Sequence, residues 1–293
     1  QQPISYKGVS RLTHLRTIIL GASHWHVPLC ARAIAEEHEV IGVGDDDVSR
    51  VQVQELAEGW GAQVEADWRK LVDLPDVGLA YVFGPHEGMA EKCLSLIERG
   101  IPFVVEKPVG TSLDELSTVR QAAEAAGVPA TVPLVQRGGP TEKWLAKAGR
   151  PTYQRTSFIA GPPSRYLANA NPWMLDPVKA GGGCLANLAP HFVDLFLRGT
   201  GESAAHVDSR LSSVLHNQAV EDHASLIITT PEGREAIVEV GYAFPGSPLK
   251  RYCSFTSVGE AGFASVDSDG TATFTALDGT TEVEKINVDS DPL

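Results

Sequence analysis

Short apolar runs alternate with amphipathic, helix-like stretches between residues 17 and 135. Continuous runs of β-branched and aliphatic residues are typical of strands buried on both faces of a parallel sheet, and the amphipathic stretches predict the crossover helices. This half of the chain therefore predicts a doubly wound α/β arrangement. The predicted strands are Thr17–Leu20, Glu39–Val43, Leu79–Phe83, Ile101–Val105 and Pro129–Val135.

Turn and cap residues support this division. Gly100 and Gly127 each follow a helix-like stretch, as expected of glycines that end helices. Ser112 and Glu115 have the spacing of a capping box, so they predict the start of a helix.

After Gln136 the pattern changes to a helix near 141–148, a strand Tyr153–Ala160, a Gly/Pro/Asn-rich loop and an amphipathic helix Cys184–Arg198. Beyond Ser203 only strands separated by turn signals remain. The predicted fold class is α/β, with an N-terminal Rossmann-type doubly wound parallel sheet and a C-terminal α+β domain with a mostly antiparallel open sheet. We place the two domains at residues 1–137 and 138–293.

Composition narrows the class of ligand. The chain has 293 residues and a formal net charge of −13, which argues against nucleic-acid and membrane partners and favours a small molecule. The four cysteines show no metal-ligand or disulfide spacing, so we predict reduced thiols, no metal and a cytoplasmic protein. The sequence does not begin with Met, and we expect the natural chain to extend beyond it.

The first predicted strand runs into Gly21-Ala-Ser23-His24-Trp-His26, where a dinucleotide-binding fold carries G-x-G-x-x-G. Of the three glycines in this fingerprint the chain retains Gly21, and Ser23 and His26 occupy the other two positions. The turn opens a helix whose free N–H groups can hold a pyrophosphate, so Gly21, Ser23 and His24 are candidate cofactor residues. The alternative is an ordinary strand-to-helix turn, with His24 packed against the helix.

Asp45 ends the second strand, 24 residues after Gly21. A carboxylate there can accept hydrogen bonds from ribose hydroxyls and would repel a 2′-phosphate, which favours NAD, with NADP as the less favoured cofactor. Asp46 and Asp47 follow it and can equally be solvated residues or a helix cap.

Glu106-Lys107-Pro108 follows a buried strand at the sheet edge where α/β proteins bind ligands. A lysine at that edge can hold a substrate oxygen, whereas a lone surface lysine would pair with Glu106.

Glu106-Lys107-Pro108, preceded by Pro85 and followed by Gly181-Gly-Gly183 and Asn187-Leu-Ala-Pro-His191-Phe-Val-Asp194, resembles the glucose-fructose oxidoreductase, inositol dehydrogenase and MocA (Gfo/Idh/MocA) family. The resemblance implies an NAD(P)-dependent dehydrogenase in which Lys107 and His191 are catalytic and Glu106 supports the nicotinamide. Pro85 and His86 are then neighbours of the cofactor. The family's usual Asp is Asn187, which can orient an imidazole but cannot stabilise its cation by charge.

The loop from Gly161 to Lys179 lies where the resemblance places substrate residues, so Tyr166, Trp173 and Lys179 are candidates for binding a sugar, polyol or cyclitol. Trp173 can equally belong to the core. The glycines 181–183 are expected to permit close approach to a ligand.

Three functions are compatible with these residues. The first is a dehydrogenase, with His191 as base and Lys107 as an electrostatic clamp. The second is a nucleotide-binding sensor that has lost turnover, suggested by Asn187 and the missing glycines. The third is a double-bond reductase, which needs no hydroxyl base. The family resemblance implies that the exposed face of the C-terminal sheet packs against another subunit, so we expect a homodimer or homotetramer.

Overall fold

The computed structural model describes residues 14–246 and 251–288. The described chain forms two compact units that interleave along the sequence. The first comprises the chain up to Gly84, Met89–Glu106 and Ser117–Thr131, and the second comprises Pro85–Gly88, Lys107–Leu116 and the chain from Val132 onward. The division of the domains at residue 137 stays a prediction.

The first unit is built on a six-stranded sheet of order β3-β2-β1-β4-β5-β6, in which every pair of neighbouring strands is parallel. The chain reverses direction across the sheet between β1 and β4, so the predicted doubly wound fold is confirmed. Ile18, Ile19 and Leu20 of β1 are fully buried, as expected for a central strand covered on both faces. The strands are β1 Leu15–Leu20, β2 His38–Gly44, β3 Gln63–Glu65, β4 Leu79–Val82, β5 Phe103–Val105 and β6 Ala130–Thr131, and the helices are α1 Val27–Glu37, α2 Val51–Trp60, α3 Trp68–Val72, α4 Met89–Glu98 and α5 Leu113–Ala126.

Both edges of this sheet differ from the prediction. The strand β3 was not predicted, because three residues with a single apolar side chain give no periodic signal. The predicted strand Pro129–Val135 is reduced to β6, two residues long. Pro133 has no N–H group for a strand ladder, so the chain leaves the sheet before it.

The second unit contains an eight-stranded sheet of order β14-β13-β12-β11-β7-β10-β9-β8, antiparallel except for the parallel pair β7 and β10. A long amphipathic helix packs against β10, β7 and β9 and buries Phe192, Leu195 and Phe196. The predicted open antiparallel sheet is therefore confirmed. The elements are α6 Pro140–Leu145, β7 Pro151–Ala160, α7 Ser164–Ala168, α8 Pro177–Ala180, α9 Cys184–Thr200, β8 His206–Ser212, β9 His223–Thr229, β10 Glu235–Gly241, β11 Arg251–Gly259, β12 Gly262–Asp267, β13 Thr271–Ala276 and β14 Thr281–Lys285, with 3₁₀ turns at Ala146–Ala148 and Pro172–Leu175.

The segment predicted as a loop before Gly183 holds two short helices, α7 and α8, and a 3₁₀ turn. Each is five residues or fewer, which is too short for a hydrophobic period to reveal. Asp176 starts α8 by accepting hydrogen bonds from the N–H groups of Val178 (2.9 Å) and Lys179 (3.4 Å).

The predicted capping box is confirmed. The Glu115 N–H donates to Ser112 Oγ and the Ser112 N–H donates to Glu115 Oε2, both at 3.2 Å. This pair fixes the start of α5, directly after the segment that carries Lys107.

Candidate functional site

The turn after β1 depends on Gly21. Its φ is +84°, and a Cβ on this residue would lie 2.1 Å from the carbonyl oxygen of Phe83, so no other residue fits without moving the backbone. The N–H groups of Gly21 and Ala22 both donate to the Gly44 carbonyl, at 2.8 and 3.1 Å. The ends of β1, β2 and β4 are thereby held together where a Rossmann sheet binds its ligand.

Asp45 is tied to this turn. Its carboxylate accepts the Ser23 N–H at 2.6 Å and the Asp47 N–H at 3.1 Å, and the residue is buried. A carboxylate offers about four acceptor positions, so these two bonds leave capacity for ribose hydroxyls, and the residues fit a dinucleotide. Asp47 instead accepts from the N–H and Oγ of Ser49, which lowers the pKa of Asp47. Asp47 is exposed and no side chain caps α2, so the solvated alternative fits Asp47.

The two histidines of the turn have different surroundings. His24 is 2% exposed; its ring lies 5.7 Å from that of Phe83, and its Nδ1 accepts the His26 N–H at 3.1 Å. His26, in the position of the third glycine, pairs through Nδ1 with Glu106 Oε2 at 3.1 Å. The structure thus places His24 inside the turn and joins Glu106 to it through His26. The contact of His24 with a cofactor stays a prediction.

Gln52 also supports this turn, although no sequence pattern predicts it. Gln52 Nε2 donates to the carbonyls of Ala22 (2.7 Å) and His24 (3.1 Å). Glutamine in the first turn of an otherwise ordinary helix gives no signal for this, since its partners are 28 and 30 residues earlier.

In the second unit, Lys107 is held by Asn187. Lys107 Nζ donates to the side-chain Oδ1 of Asn187 at 2.6 Å and to its backbone carbonyl at 2.7 Å, and both residues are less than 5% exposed. Asn187 Nδ2 in turn donates to the hydroxyls of Tyr166 (2.8 Å) and Tyr242 (3.0 Å). The amide therefore links the lysine of the Glu-Lys-Pro motif to two buried tyrosines.

Tyr166, predicted to bind substrate, has no exposed surface. Its hydroxyl accepts from Arg165 Nη2 at 2.6 Å as well as from Asn187, so the structure gives it a supporting position behind Lys107. Tyr242 was missed because a single tyrosine after a strand carries no pattern. Burial is the main cause that raises the pKa of Tyr242 well above its ordinary value, and the neighbouring Tyr166 raises this pKa further. The Tyr242 hydroxyl therefore stays neutral.

His191 lies one helical turn after Asn187 on the same face of α9. The Val135 N–H donates to its Nδ1 across a long 3.4 Å contact, which favours the neutral tautomer with the proton on Nε2. Asp194, the last residue of the motif, forms a bidentate ion pair with the Arg137 guanidinium at 2.6 and 2.9 Å. Its carboxylate therefore has a structural role.

The remaining predicted residues lie in one buried cluster of the second unit, apart from Lys179. His86, which follows Pro85, donates from Nδ1 to the Ala180 carbonyl at 2.6 Å and meets the Trp173 ring edge-to-face at 4.9 Å. Trp173 Nε1 donates to Asn171 Oδ1 at 2.9 Å, so the core alternative fits Trp173. The Lys179 side chain is exposed.

The glycine triplet serves the protein's own backbone. A Cβ on Gly183 would lie 2.1 Å from the Glu221 carbonyl oxygen, and one on Gly181 would lie 3.0 Å from Thr111 Cα. In this structure the two glycines let chain segments pass close to the start of α9, and the expectation that the triplet also makes room for a ligand stays a prediction.

The described residues hold neither a membrane-spanning helix nor a cluster of metal-ligand side chains. No helix between residues 14 and 246 or 251 and 288 is long and apolar enough to cross a membrane. In the same ranges, no three His, Cys, Asp or Glu residues cluster as metal ligands would.

Fold and turn geometry together define a protein with a Rossmann-type dinucleotide-binding domain and an open-sheet second domain. Residues 15–133 match the family model described as "Oxidoreductase family, NAD-binding Rossmann fold", and residues 146–265 match that of the GFO/IDH/MocA C-terminal domain. The chain belongs to the Gfo/Idh/MocA family, as the Glu-Lys-Pro and glycine-triplet motifs predict.

Named relatives share parts of the sequence. A levoglucosan dehydrogenase of Pseudarthrobacter phenanthrenivorans is 24% identical over 179 residues, covering 58% of this chain and 45% of that protein. An inositol 2-dehydrogenase 4 of Saccharopolyspora erythraea is 34% identical over 88 residues, covering 30% and 26%. The matches thus span less than half the length of these curated relatives.

Among solved structures, a levoglucosan dehydrogenase in complex with NADH and levoglucosan superimposes with a TM-score of 0.78 at 18% identity, covering 94% of this chain and 80% of that one. At that identity the likeness establishes the shared fold.

Proposed function

We propose that this protein is an NAD-dependent dehydrogenase that transfers a hydride between the nicotinamide and a CH–OH carbon of a sugar, polyol or cyclitol. The observation that carries the proposal is the buried Lys107 ammonium held by Asn187, next in sequence to Glu106 of the dinucleotide-binding unit. Family membership and the dehydrogenase names of the relatives support it.

Lys107 is proposed to hold the reacting oxygen. An ammonium has three N–H donors and stabilises the partial negative charge that an alcohol oxygen gains as its proton leaves. Asn187 fixes where Nζ lies, because it accepts with both its side-chain and its backbone oxygen. When bound, the nicotinamide supplies the hydride acceptor or donor.

His191 is proposed to carry the hydroxyl proton. In the tautomer favoured by Val135, Nε2 bears a proton and can give it to a carbonyl oxygen during reduction. Oxidation of the alcohol requires an unprotonated Nε2, so His191 must then be in the other neutral tautomer, with its proton on Nδ1. A hydrogen bond as long as that to Val135 contributes at most about 1 kcal/mol, so the exchange of tautomers is inexpensive.

Asp45 supports the preference for NAD over NADP. Its carboxylate is fixed by Ser23 at the end of β2, where a 2′-phosphate would meet a negative charge. Glu106 is proposed to support the nicotinamide end, in a position fixed by His26.

The outer face of the second sheet is proposed to form a homodimer or homotetramer. This face, opposite α9, exposes large apolar side chains, namely Ile227, Tyr252, Phe263 and Val283. A partner subunit would cover these exposed apolar side chains. Light scattering that finds only monomer at micromolar concentration would contradict this. A cytoplasmic location stays a prediction.

The test is NAD reduction, followed by absorbance, across a panel of sugars, polyols and cyclitols. Lys107→Met and His191→Ala are expected to lower kcat at least about a hundredfold, in line with the loss of an electrostatic or acid–base group. Lys285→Met and His206→Ala remove an exposed lysine and histidine, and are expected to retain activity.

NADH binding with no turnover on any panel member would contradict the proposed activity for these substrate classes. Turnover that survives in Lys107→Met would contradict the role of the lysine while leaving the dehydrogenase assignment standing.

A further inference from the structure

Lys92 is a buried lysine in the dinucleotide-binding unit. It lies on α4 and is 8% exposed, among helix neighbours such as Met89, Cys93 and Leu96 that are fully buried. The sequence does not predict this burial, because a lysine in a helical stretch is ordinarily a surface residue. A leucine or methionine at this position would fill the same space without burying a charge.

Its ammonium lies at the ligand-binding edge of the sheet. A Cβ built on Gly84 would be 3.3 Å from Lys92 Nζ and 3.8 Å from Gly21 Cα. The Lys92 ammonium and the turn glycine therefore both lie next to the position that a Gly84 side chain would take. Gly84 follows Phe83, whose carbonyl oxygen contacts Gly21. The absence of a side chain at Gly84 leaves the room that the ammonium occupies.

The ammonium has no short-range partner in the described parts of the chain. Within residues 14–246 and 251–288, Lys92 forms neither a hydrogen bond nor an ion pair within 4 Å. Burial lowers the pKa of Lys92, and the more distant carboxylates of Asp46 and Asp45 act in the opposite direction. A buried ammonium without a hydrogen-bonded counterion destabilises the folded protein.

A second feature of the same edge is suited to binding an anion. The helix α1 is 11 residues long and begins after His26 with no side chain capping its N-terminal amides. The positive end of a helix dipole and its free N–H groups form a phosphate site. The turn retains one glycine of the usual three, so fewer backbone N–H groups can approach a phosphate closely.

From these observations we infer that Lys92 is a phosphate-binding residue: its ammonium binds a phosphate of the dinucleotide at the turn Gly21–His26, together with the N-terminus of α1. This inference rests on the proposed function, since the phosphate belongs to the dinucleotide. It assigns to α4 a role that neither the glycine fingerprint nor the Glu-Lys-Pro motif contains, and it explains why an uncompensated lysine is kept in the core.

The experiment compares the full chain with Lys92→Met and with Lys70→Met, which removes an exposed lysine paired with Glu65 in the same unit. NADH and NADPH binding are measured by calorimetry, and thermal unfolding is measured without ligand. For Lys92→Met we expect about tenfold to a hundredfold weaker NADH binding, the effect of one lost charged hydrogen bond. We also expect its ligand-free unfolding midpoint to rise by roughly 2 to 4 °C, because the buried charge is gone. Lys70→Met should match the wild type in both measurements.

The outcomes separate the two claims. Wild-type protein that binds neither NADH nor NADPH would overturn the proposed function and this inference with it. Wild-type binding with equal affinity in Lys92→Met would overturn the inference alone. Weaker binding accompanied by a lower unfolding midpoint would also overturn it, since Lys92 would then be a packing residue whose loss disturbs the turn.

Discussion

Replacing Asn187 with leucine tests whether the amide holds Lys107 in place. Leucine has a similar volume but removes the Oδ1 acceptor of Lys107 and the Nδ2 donor to Tyr166 and Tyr242. All of these groups are buried, so water does not replace the lost partner. We therefore expect Asn187→Leu to lower the free energy of unfolding.

The magnitude follows from the bonds removed. One hydrogen bond to a charged group contributes about 1.5–3 kcal/mol, and each neutral bond to a tyrosine contributes about 1 kcal/mol, which gives ~4 kcal/mol in total for Asn187→Leu. In a Lys107→Met background the charged bond is already absent. The same substitution should then cost about 2 kcal/mol, so the coupling between the two residues should be ~2 kcal/mol.

The assay is a double-mutant cycle. Urea unfolding of the wild type, both single variants and the double variant gives four free energies, and their combination isolates the Lys107–Asn187 term. Lys179→Met, at an exposed side chain outside this contact, serves as the control cycle with Asn187→Leu and should be additive. Asn187→Asp retains an oxygen for Lys107 and should be far less destabilising than leucine.

A coupling below about 0.5 kcal/mol, within the error of additivity for independent sites, would refute this reasoning. In that case the short distances between Lys107 and Asn187 would describe a contact without energetic consequence, and the lysine would have to be positioned by other groups.

Three further predictions concern other parts of the molecule. Asp45→Ala should narrow the preference for NADH over NADPH by about tenfold in binding titrations, and an unchanged ratio would show that Asp45 does not face the 2′ position. Gly21→Ala should cost at least ~3 kcal/mol of unfolding free energy, because its Cβ would meet the Phe83 carbonyl, whereas Gly61→Ala, also at positive φ but with nothing within 4 Å, should cost about 1 kcal/mol; equal costs would contradict the steric argument. Burial raises the pKa of the Cys30 thiol to about 11, so its alkylation by iodoacetamide should be slow at pH 8 and accelerate up to pH 11 as thiolate forms; rapid modification at pH 7.5 in native protein, followed by mass spectrometry, would disprove this.

The fold was predictable because its central strands are continuous apolar runs and its hairpins carry turn signals. The sequence predicts a buried strand at residues 18–20, and the structure has a fully buried strand there. The edges were less predictable, since β3 and β6 are too short for a hydrophobic period.

The site was predictable where residues are adjacent in a motif. Lys107, Asn187 and His191 could be named from their motifs, and the structure places Lys107 against Asn187. Tyr242 and Gln52 could not be, because each acts through a partner far along the chain and belongs to a type that is common elsewhere. Only the folded backbone shows which distant residues meet.

The sensor hypothesis rests on three departures from the family pattern, and two of the replacing side chains form contacts in the candidate site. Asn187 still offers an oxygen to Lys107, at 2.6 Å. His26, in place of the third glycine, pairs with Glu106 at 3.1 Å. Ser23, in place of the second, donates its backbone N–H to Asp45 at 2.6 Å, a bond that a glycine would also form. A nucleotide-binding sensor would need the contacts of Ser23 and His26 as much as an enzyme would, whereas the contact between Lys107 and Asn187 belongs to the proposed reaction. Asn187 therefore favours a dehydrogenase over a sensor, and a single substitution can remove its contact with Lys107.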